Sequence, residues 1–295
     1  MRVFVTGALG FVGTAVVQEL ISAGHSVLGL ARSGESAAAV AALGADVLEG
    51  SLADRMVLMR GAGKCDGVIH TAFQHDFSNF AECCAMDRKA ITAMGAELGG
   101  SGRLMLVTHG LAHLAPGRMA TEKDVAPHAS ETYPRASEDA AGALIRQGVH
   151  VGVVRLAPSV HGAGDHGFIP YLIALARKAG VSAYVGDGAN RWPAVHRTDA
   201  ARLYRLALEE GHIGGRYHGV AETWVCFKDI AEAIGKGLGV PVVRMTPDDA
   251  AAHFGWMSGF ASMDAAASSD VTQKLLGWIP VGPGLLEDMA AHYFR

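Results

Sequence analysis

Short apolar runs alternate with amphipathic stretches through the first half of the chain. Arg2–Thr6 is a β-rich run, and glycines follow at positions 7, 10 and 13. Phe11–Ala23 then places Val12, Ala15, Val16, Glu19 and Leu20 at helical spacing, with Gly24 as the stop. The segments "HSVLGLARS", "DVLEG", "DGVIHTAF" and "GRLMLVTHG" read as four further strands. Between them "AAAVAALGA", "ADRMVLMRGA" and much of Phe77–Leu98 read as helices. A helix near Glu131–Gln147 and the strand "VHVGVVRLAP" extend the series. The strands are nearly continuous apolar runs, as strands covered on both faces are. Strand and helix in strict alternation predict an α/β fold with a doubly wound, Rossmann-type parallel sheet.

Beyond about residue 160 the alternation weakens. "GAGDHGF", "YVGDGANRWP" and "MTPDDAAAHFGW" read as loops or mixed segments. Helices are expected near Ile169–Ala179, Thr198–Glu210, Lys228–Leu238 and Leu285–Phe294. The pattern divides the chain into a dinucleotide-binding domain, 1–160, and a smaller substrate lobe, 161–295, with sheet and helix crossovers between them. The lobe is expected to close over the carboxyl edge of the sheet.

Composition narrows the function. Half of the 295 residues are apolar, the net charge is −4, and no basic run occurs, which argues against a nucleic-acid surface. No apolar run approaches a membrane span. Cys65, Cys83, Cys84 and Cys226 form no Cys-x-x-Cys pair and suit a reducing compartment. The first residues read as a strand rather than a leader. A soluble cytoplasmic protein with a small-molecule substrate is expected, and a homodimer is compatible with the sequence.

Gly7-x-x-Gly10-x-x-Gly13 lies between a strand and a helix, where it fits a pyrophosphate. Gly7 would allow the tight turn, Gly10 the approach of the phosphates, and Gly13 close packing of helix on strand. Leu9, Phe11 and Val12 share this turn and are counted with the cofactor contacts. The second strand ends in Ala31, Arg32 and Ser33, where NAD binders place an acid on the ribose 2′-hydroxyl. A guanidinium there would pair with a 2′-phosphate instead. NADP(H) is therefore expected over NAD(H), with Arg32 and Ser33 at that end of the cofactor.

The stretches "VTGALGFVG", "LARS", "LEGSLAD" and "VIHTAF" resemble the extended or atypical short-chain dehydrogenase/reductases of the NAD-dependent epimerase/dehydratase family. The resemblance runs along the whole chain and is sharpest before residue 110. It implies that Ser51 and Leu52 border the adenine. It places Thr71, Ala72 and Phe73 along the diphosphate and ribose, and Pro158 and Ser159 near the nicotinamide. The family's Tyr-x-x-x-Lys is altered here: Ser137, not lysine, stands four residues after Tyr133, and Pro134 sets Tyr133 ahead of the helix. At the fifth-strand end, the family's Ser falls within Thr108-His109-Gly110. Thr108, His109 and Tyr133 are thus the candidate proton donors. His109 is slightly favoured, with a working pKa near ~6.5 unless burial or neighbours move it.

Fourteen histidines do not make a metal site, since no His-Glu-x-x-His or third ligand accompanies the spaced pairs. His161 and His196 read as pocket or hydrogen-bonded structural residues. Trp192, on a segment rich in Gly, Asn and Pro, either covers a ligand or is buried between the lobes. Phe168 has a similar claim to the pocket, and His253–Phe260 supplies apolar wall or core. Three functions fit: an NADP(H)-dependent oxidoreductase acting on a small carbonyl, alcohol or sugar-like compound; a non-catalytic NADP(H) sensor; and an epimerase or dehydratase that retains its cofactor.

Overall fold

The structure, a computed structural model, describes residues 1–294. Seven parallel strands form the central sheet: β1 (Arg2–Thr6), β2 (Ser26–Ala31), β3 (Asp46–Glu49), β4 (Gly67–His70), β5 (Met105–Gly110), β6 (Val151–Leu156) and, out of sequence, β10 (Arg216–Gly219). Their spatial order is β10-β6-β5-β4-β1-β2-β3. The order reverses between β1 and β4. At such a switch point the connections leave in opposite directions and open a crevice beyond the carboxyl ends of the strands.

Helices cover both faces. On one face α1 (Phe11–Ser22) packs beside α7 (Arg197–Glu210) over Val3, Val5 and Ile69, and Arg205 pairs with Glu19 at 2.8 Å. On the other, α3 (Arg55–Gly63), α4 (Phe80–Leu98) and α5 (Ser137–Arg146) enclose Phe4, Val68, Met105 and Val107. Every central strand therefore buries both faces, which is why these strands carry no polar alternation. α2 (Gly34–Ala42) starts at a capping box, with Ser33 and Ser36 each satisfying the other's backbone N–H.

Strand β10 and helix α7 lie beyond residue 160 yet complete the first layer, so the chain crosses between the two parts. The tetrapeptide Arg216–Gly219 gives no apolar signal, because its buried polar side chain is satisfied by distant partners. His218 Nδ1 lies 2.7 Å from the Ser268 carbonyl, and its Nε2 accepts from Arg155 Nη1 at 3.2 Å. The other strands and α-helices are β7 (Ser159–His161), α6 (Phe168–Ala179), β8 (Ser182–Val185), β9 (Arg191–His196), β11 (Glu222–Cys226), α8 (Phe227–Leu238), β12 (Val242–Met245), α9 (Pro247–Phe254), α10 (Ser258–Ala261), α11 (Asp270–Leu276) and α12 (Leu285–His292). Two of the segments read as loops are thus partly regular. "YVGDGANRWP" bridges β8 and β9, whose edges are completed by β12 on one side and by β7 and β11 on the other. "MTPDDAAAHFGW" contains α9, capped by Thr246 with Pro247 at its first turn. The helix expected from Glu131 begins only at Ser137, consistent with the break that Pro134 imposes.

Candidate active site

The glycine turn is sterically fixed. Gly7 has φ 72°, a conformation that favours glycine, and a Cβ there would meet the Ala72 backbone at 2.8 Å. A Cβ on Gly13 would stand 1.9 Å from the Gly7 carbonyl oxygen. Gly10 caps α1 without a side-chain hydrogen bond, and a Cβ there would meet only that same oxygen, at 3.2 Å. The first turn of α1 therefore presents backbone N–H groups that no side chain blocks, at the positive end of a 12-residue helix. Thr71 closes the turn from β4, donating its hydroxyl to the Thr6 carbonyl at 2.8 Å. Phe11 packs edge-on to His166 and beneath the Arg197 guanidinium. At the end of β2, Arg32 is exposed and makes no ion pair among the described residues. Ser51 accepts from the Ala53 N–H at 3.3 Å in the turn before α3.

The fifth-strand end brings two proton-donor candidates together. His109, on β5, is 2% exposed, and its Nε2 lies 3.3 Å from the hydroxyl of Tyr133, which sits in the loop before α5. Burial pushes the Tyr133 phenol up to about 12, with Arg135 pulling the other way. Burial pushes His109 down to about 4, with Glu138 opposing and Arg135 and Arg155 reinforcing. The near-neutral titration anticipated for His109 is thereby corrected: desolvation of the imidazolium outweighs its neighbours. At neutral pH His109 is an uncharged imidazole, and the phenol holds its proton. His109 Nδ1 is buried with no partner among the described residues.

Thr108 faces elsewhere. Its hydroxyl lies 2.7 Å from both the His70 carbonyl and the Tyr204 hydroxyl, a pairing that ties β5 to α7. Arg135 stacks on Phe73, 3.9 Å from the ring centroid, and donates from Nε to Ser137 Oγ at 2.9 Å. Ser137 in turn donates to Asp87 at 2.6 Å, and Asp87 accepts from His70 Nε2 at 3.0 Å. The position that would hold the family's lysine thus links the half-buried Arg135 guanidinium to a buried acid. Burial alone would raise the Asp87 carboxyl, but His70, Arg135 and Ser137 hold it below the usual range.

These polar residues gave no sequence signal, because their roles arise from pairing across long separations. The same is true of Arg155, wholly buried in β6 and held by the two Glu138 oxygens at 2.6 and 2.9 Å. This fork supports the floor of the site, and a bidentate pair satisfies the desolvated guanidinium.

The remaining residues divide between cleft and core. Pro158 and Ser159 follow β6, and the Ser159 hydroxyl is buried without a partner among the described residues. His161 Nδ1 bonds Asp288 at 2.9 Å, while its Nε2 is buried and unpaired among the described residues. His196 caps α7 and accepts from the Thr198 N–H. Trp192 takes the buried alternative. It is fully enclosed in β9, donates to the Phe260 carbonyl, and packs on Phe168 and Phe227. Alternation along β9 turns its ring inward, so Trp192 supports the wall and does not cover a ligand. Phe168 is half-buried at the start of α6. Among the described residues no cluster of His, Cys, Asp and Glu is arranged to hold a metal ion. None of their helices is long and apolar enough to cross a membrane.

The model of the NAD dependent epimerase/dehydratase family matches residues 3–84, the segment that contains the glycine turn. The uncharacterized protein YLL056C of Saccharomyces cerevisiae is 48% identical over 295 residues, covering 99% of each chain. The chain belongs to the NAD-dependent epimerase/dehydratase family. Another similar protein is the 2-alkyl-3-oxoalkanoate reductase of Stenotrophomonas maltophilia, 29% identical over 71% of this chain and 66% of that one. The solved dTDP-glucose 4,6-dehydratase DesIV of Streptomyces venezuelae, with NAD and TYD bound, shares the fold. Its TM-score is 0.78 at 19% identity, over 99% of this chain and 96% of that one. Family membership brings NAD(P) binding and a small-molecule substrate. The residues present suit such a cofactor: an uncapped helix start behind glycines, and an orphaned Ser159 hydroxyl beyond β6.

Proposed function

We propose that the protein is a cytoplasmic NADPH-dependent reductase of a small carbonyl compound. The observation that carries this reading is the contact between Tyr133 and His109 at the carboxyl end of β5, beside the switch-point crevice. Gly7, Gly10 and Gly13, with Leu9, Phe11 and Val12, would hold the cofactor diphosphate. Thr71, Ala72 and Phe73 would line its middle, Ser51 and Leu52 its adenine, and Pro158 and Ser159 its nicotinamide end. Arg32, exposed and with no ion pair among the described residues, favours the 2′-phosphate. When bound, the dihydronicotinamide supplies a hydride to the carbonyl carbon.

This chain's own residues would handle the proton. Tyr133 gives its phenolic proton to the carbonyl oxygen as the C–H bond forms, leaving an alcohol. The phenolate is steadied by the Arg135 charge and regains a proton from water. His109, neutral and buried, fixes the phenol by hydrogen bonding and does not itself serve as the acid. Phe168, His161 and His196 would lie on the substrate-lobe side, with Trp192 as the packed support behind Phe168.

The test is fluorescence titration with NADPH and NADH, followed by a panel of aldehydes and ketones with each cofactor. Turnover with NADPH that is lost in Tyr133→Phe supports the proposal. Tight NADPH binding with no turnover across the panel would favour a nucleotide sensor, the reading to which the absence of a lysine at position 137 lends weight. Interconversion of a sugar epimer without net cofactor consumption would favour the retained-cofactor alternative.

A further inference from the structure

A band of aromatic side chains runs outward from the Tyr133 hydroxyl. The Tyr133 ring meets His113 edge-on at 5.9 Å between centroids, and His113 meets Phe260 at 6.1 Å. Phe260 meets Phe168 at 5.1 Å, Phe168 meets Trp256 at 6.1 Å, and Trp256 meets Tyr171 at 5.0 Å. The band draws on four separate parts of the chain: the loop after β5, the loop before α5, the start of α6, and the turn after α9 together with α10.

Three features separate this band from ordinary core. Tyr133, Phe168, Tyr171 and Phe260 are only half-buried, and Trp256 keeps 43% of its surface exposed, while the supporting Trp192 is fully enclosed. His113 holds its place with φ 64°, the one non-glycine residue with positive φ among those described, a strain that marks sites where position matters. The arginine behind the band is already matched: Arg191, next in sequence to Trp192, closes on Asp264 through bonds of 2.7 and 2.6 Å. Half-exposed rings contiguous with a proton donor bind apolar surface, because that surface leaves water on binding.

We propose that this band is the substrate-binding face, and that it takes an uncharged ketone or aldehyde bearing a large apolar substituent, not a phosphorylated or nucleotide-linked sugar. The inference rests on the reductase reading for its carbonyl end. The apolar end would lie along Phe260, Phe168 and Trp256 while the carbonyl oxygen meets Tyr133.

The test compares 4-phenyl-2-butanone with dihydroxyacetone as substrates for the full chain with NADPH, and measures 4-phenyl-2-butanone binding by calorimetry. The ratio of kcat/KM should favour 4-phenyl-2-butanone by about tenfold or more, the scale of a few buried methylene groups. Trp256→Ala and Phe260→Leu should each cut that preference severalfold, mainly through KM. Trp224→Ala, an exposed tryptophan on β11 outside the band, should leave it unchanged. If nothing is turned over yet 4-phenyl-2-butanone binds the wild type and weakens in Trp256→Ala, the binding face stands and the reductase reading falls. Equal or better use of dihydroxyacetone overturns the proposal. So does binding that is insensitive to both substitutions, or a change confined to the oligomeric state in Trp256→Ala.

Discussion

Tyr133 and His109, 24 residues apart in sequence, place the phenol oxygen 3.3 Å from a buried imidazole nitrogen. The contact joins by one hydrogen bond two groups that the sequence offers as rival proton donors. Burial keeps the proton on one and off the other, since each loses the charged form on desolvation.

The pH profile of carbonyl reduction follows from those directions. An imidazolium donor would lose activity as pH rises through about 4, whereas a phenol stays protonated up to about 12. The donor-dependent rate should therefore hold across neutral pH and decline only in strong alkali. Tyr133→Phe should lower kcat/KM by roughly 10²–10⁴-fold, the usual contribution of a positioned acid. His109→Gln, which keeps a hydrogen-bonding group, should cost less and move the alkaline limb. Steady-state profiles of the three proteins check this. A wild-type rate that falls between pH 5 and 8 and becomes flat in His109→Gln would restore His109 as the donor.

Arg135 should influence the same limb from outside the pair. Its guanidinium is held by Ser137 and Phe73 and favours the ionised form of Tyr133. Arg135→Gln should move the alkaline limb to still higher pH and slow the reaction, and Arg135→Lys should recover part of the loss. Spectrophotometric titration of Tyr133, by difference from Tyr133→Phe, reports the same shift without turnover.

Cofactor choice should depend on one side chain. Arg32→Ala is expected to weaken NADPH by about 1.5–3 kcal/mol, the scale of a charged hydrogen bond, and to leave NADH nearly unchanged. Equal losses for both cofactors would remove the 2′-phosphate assignment.

The glycine turn should distinguish packing from binding. Gly13→Ala forces a Cβ to within 1.9 Å of the Gly7 carbonyl, so the turn must distort and stability should fall with affinity. Gly10→Val has only that oxygen nearby, at 3.2 Å, so the fold should persist while the branched side chain blocks the phosphates. Circular dichroism melts alongside fluorescence titration separate the two outcomes. Undiminished NADPH affinity in Gly10→Val would mean the turn holds no phosphate.

Acid should destabilise the protein before its carboxylates titrate. Burial pushes both His109 and His218 down to about 4 from the ordinary 6.5. The unfolded chain therefore takes up protons first as pH falls. Their stabilising contribution is complete above about pH 6.5 and is lost toward pH 4, on the order of 2 kcal/mol for each of the two by pH 5. Urea unfolding at pH 7 and pH 5 measures the loss, which His109→Gln should reduce. An identical pH slope in that variant would show that His109 is not desolvated as described.

The sequence by itself determined what is local. Gly7, Gly10 and Gly13 announced the turn, because positive φ and close approach are demands on single residues. Apolar runs announced the central strands, because burial on both faces favours apolar side chains and admits a polar one, such as Arg155 or His109, only here and there. Arg32 announced a strand end without an acid, and Pro134 announced that Tyr133 would precede its helix. Tertiary structure decided the rest. Arg216–Gly219 became an edge strand only because Arg155 and Ser268 satisfy His218. The Thr108 hydroxyl is held by the His70 carbonyl and by Tyr204, 96 residues away, contacts that no local pattern announces. Trp192 became support rather than cover when β9 paired on both sides. His109 lost its neutral-pH titration through desolvation, which depends on what packs around a group and not on what adjoins it in the chain.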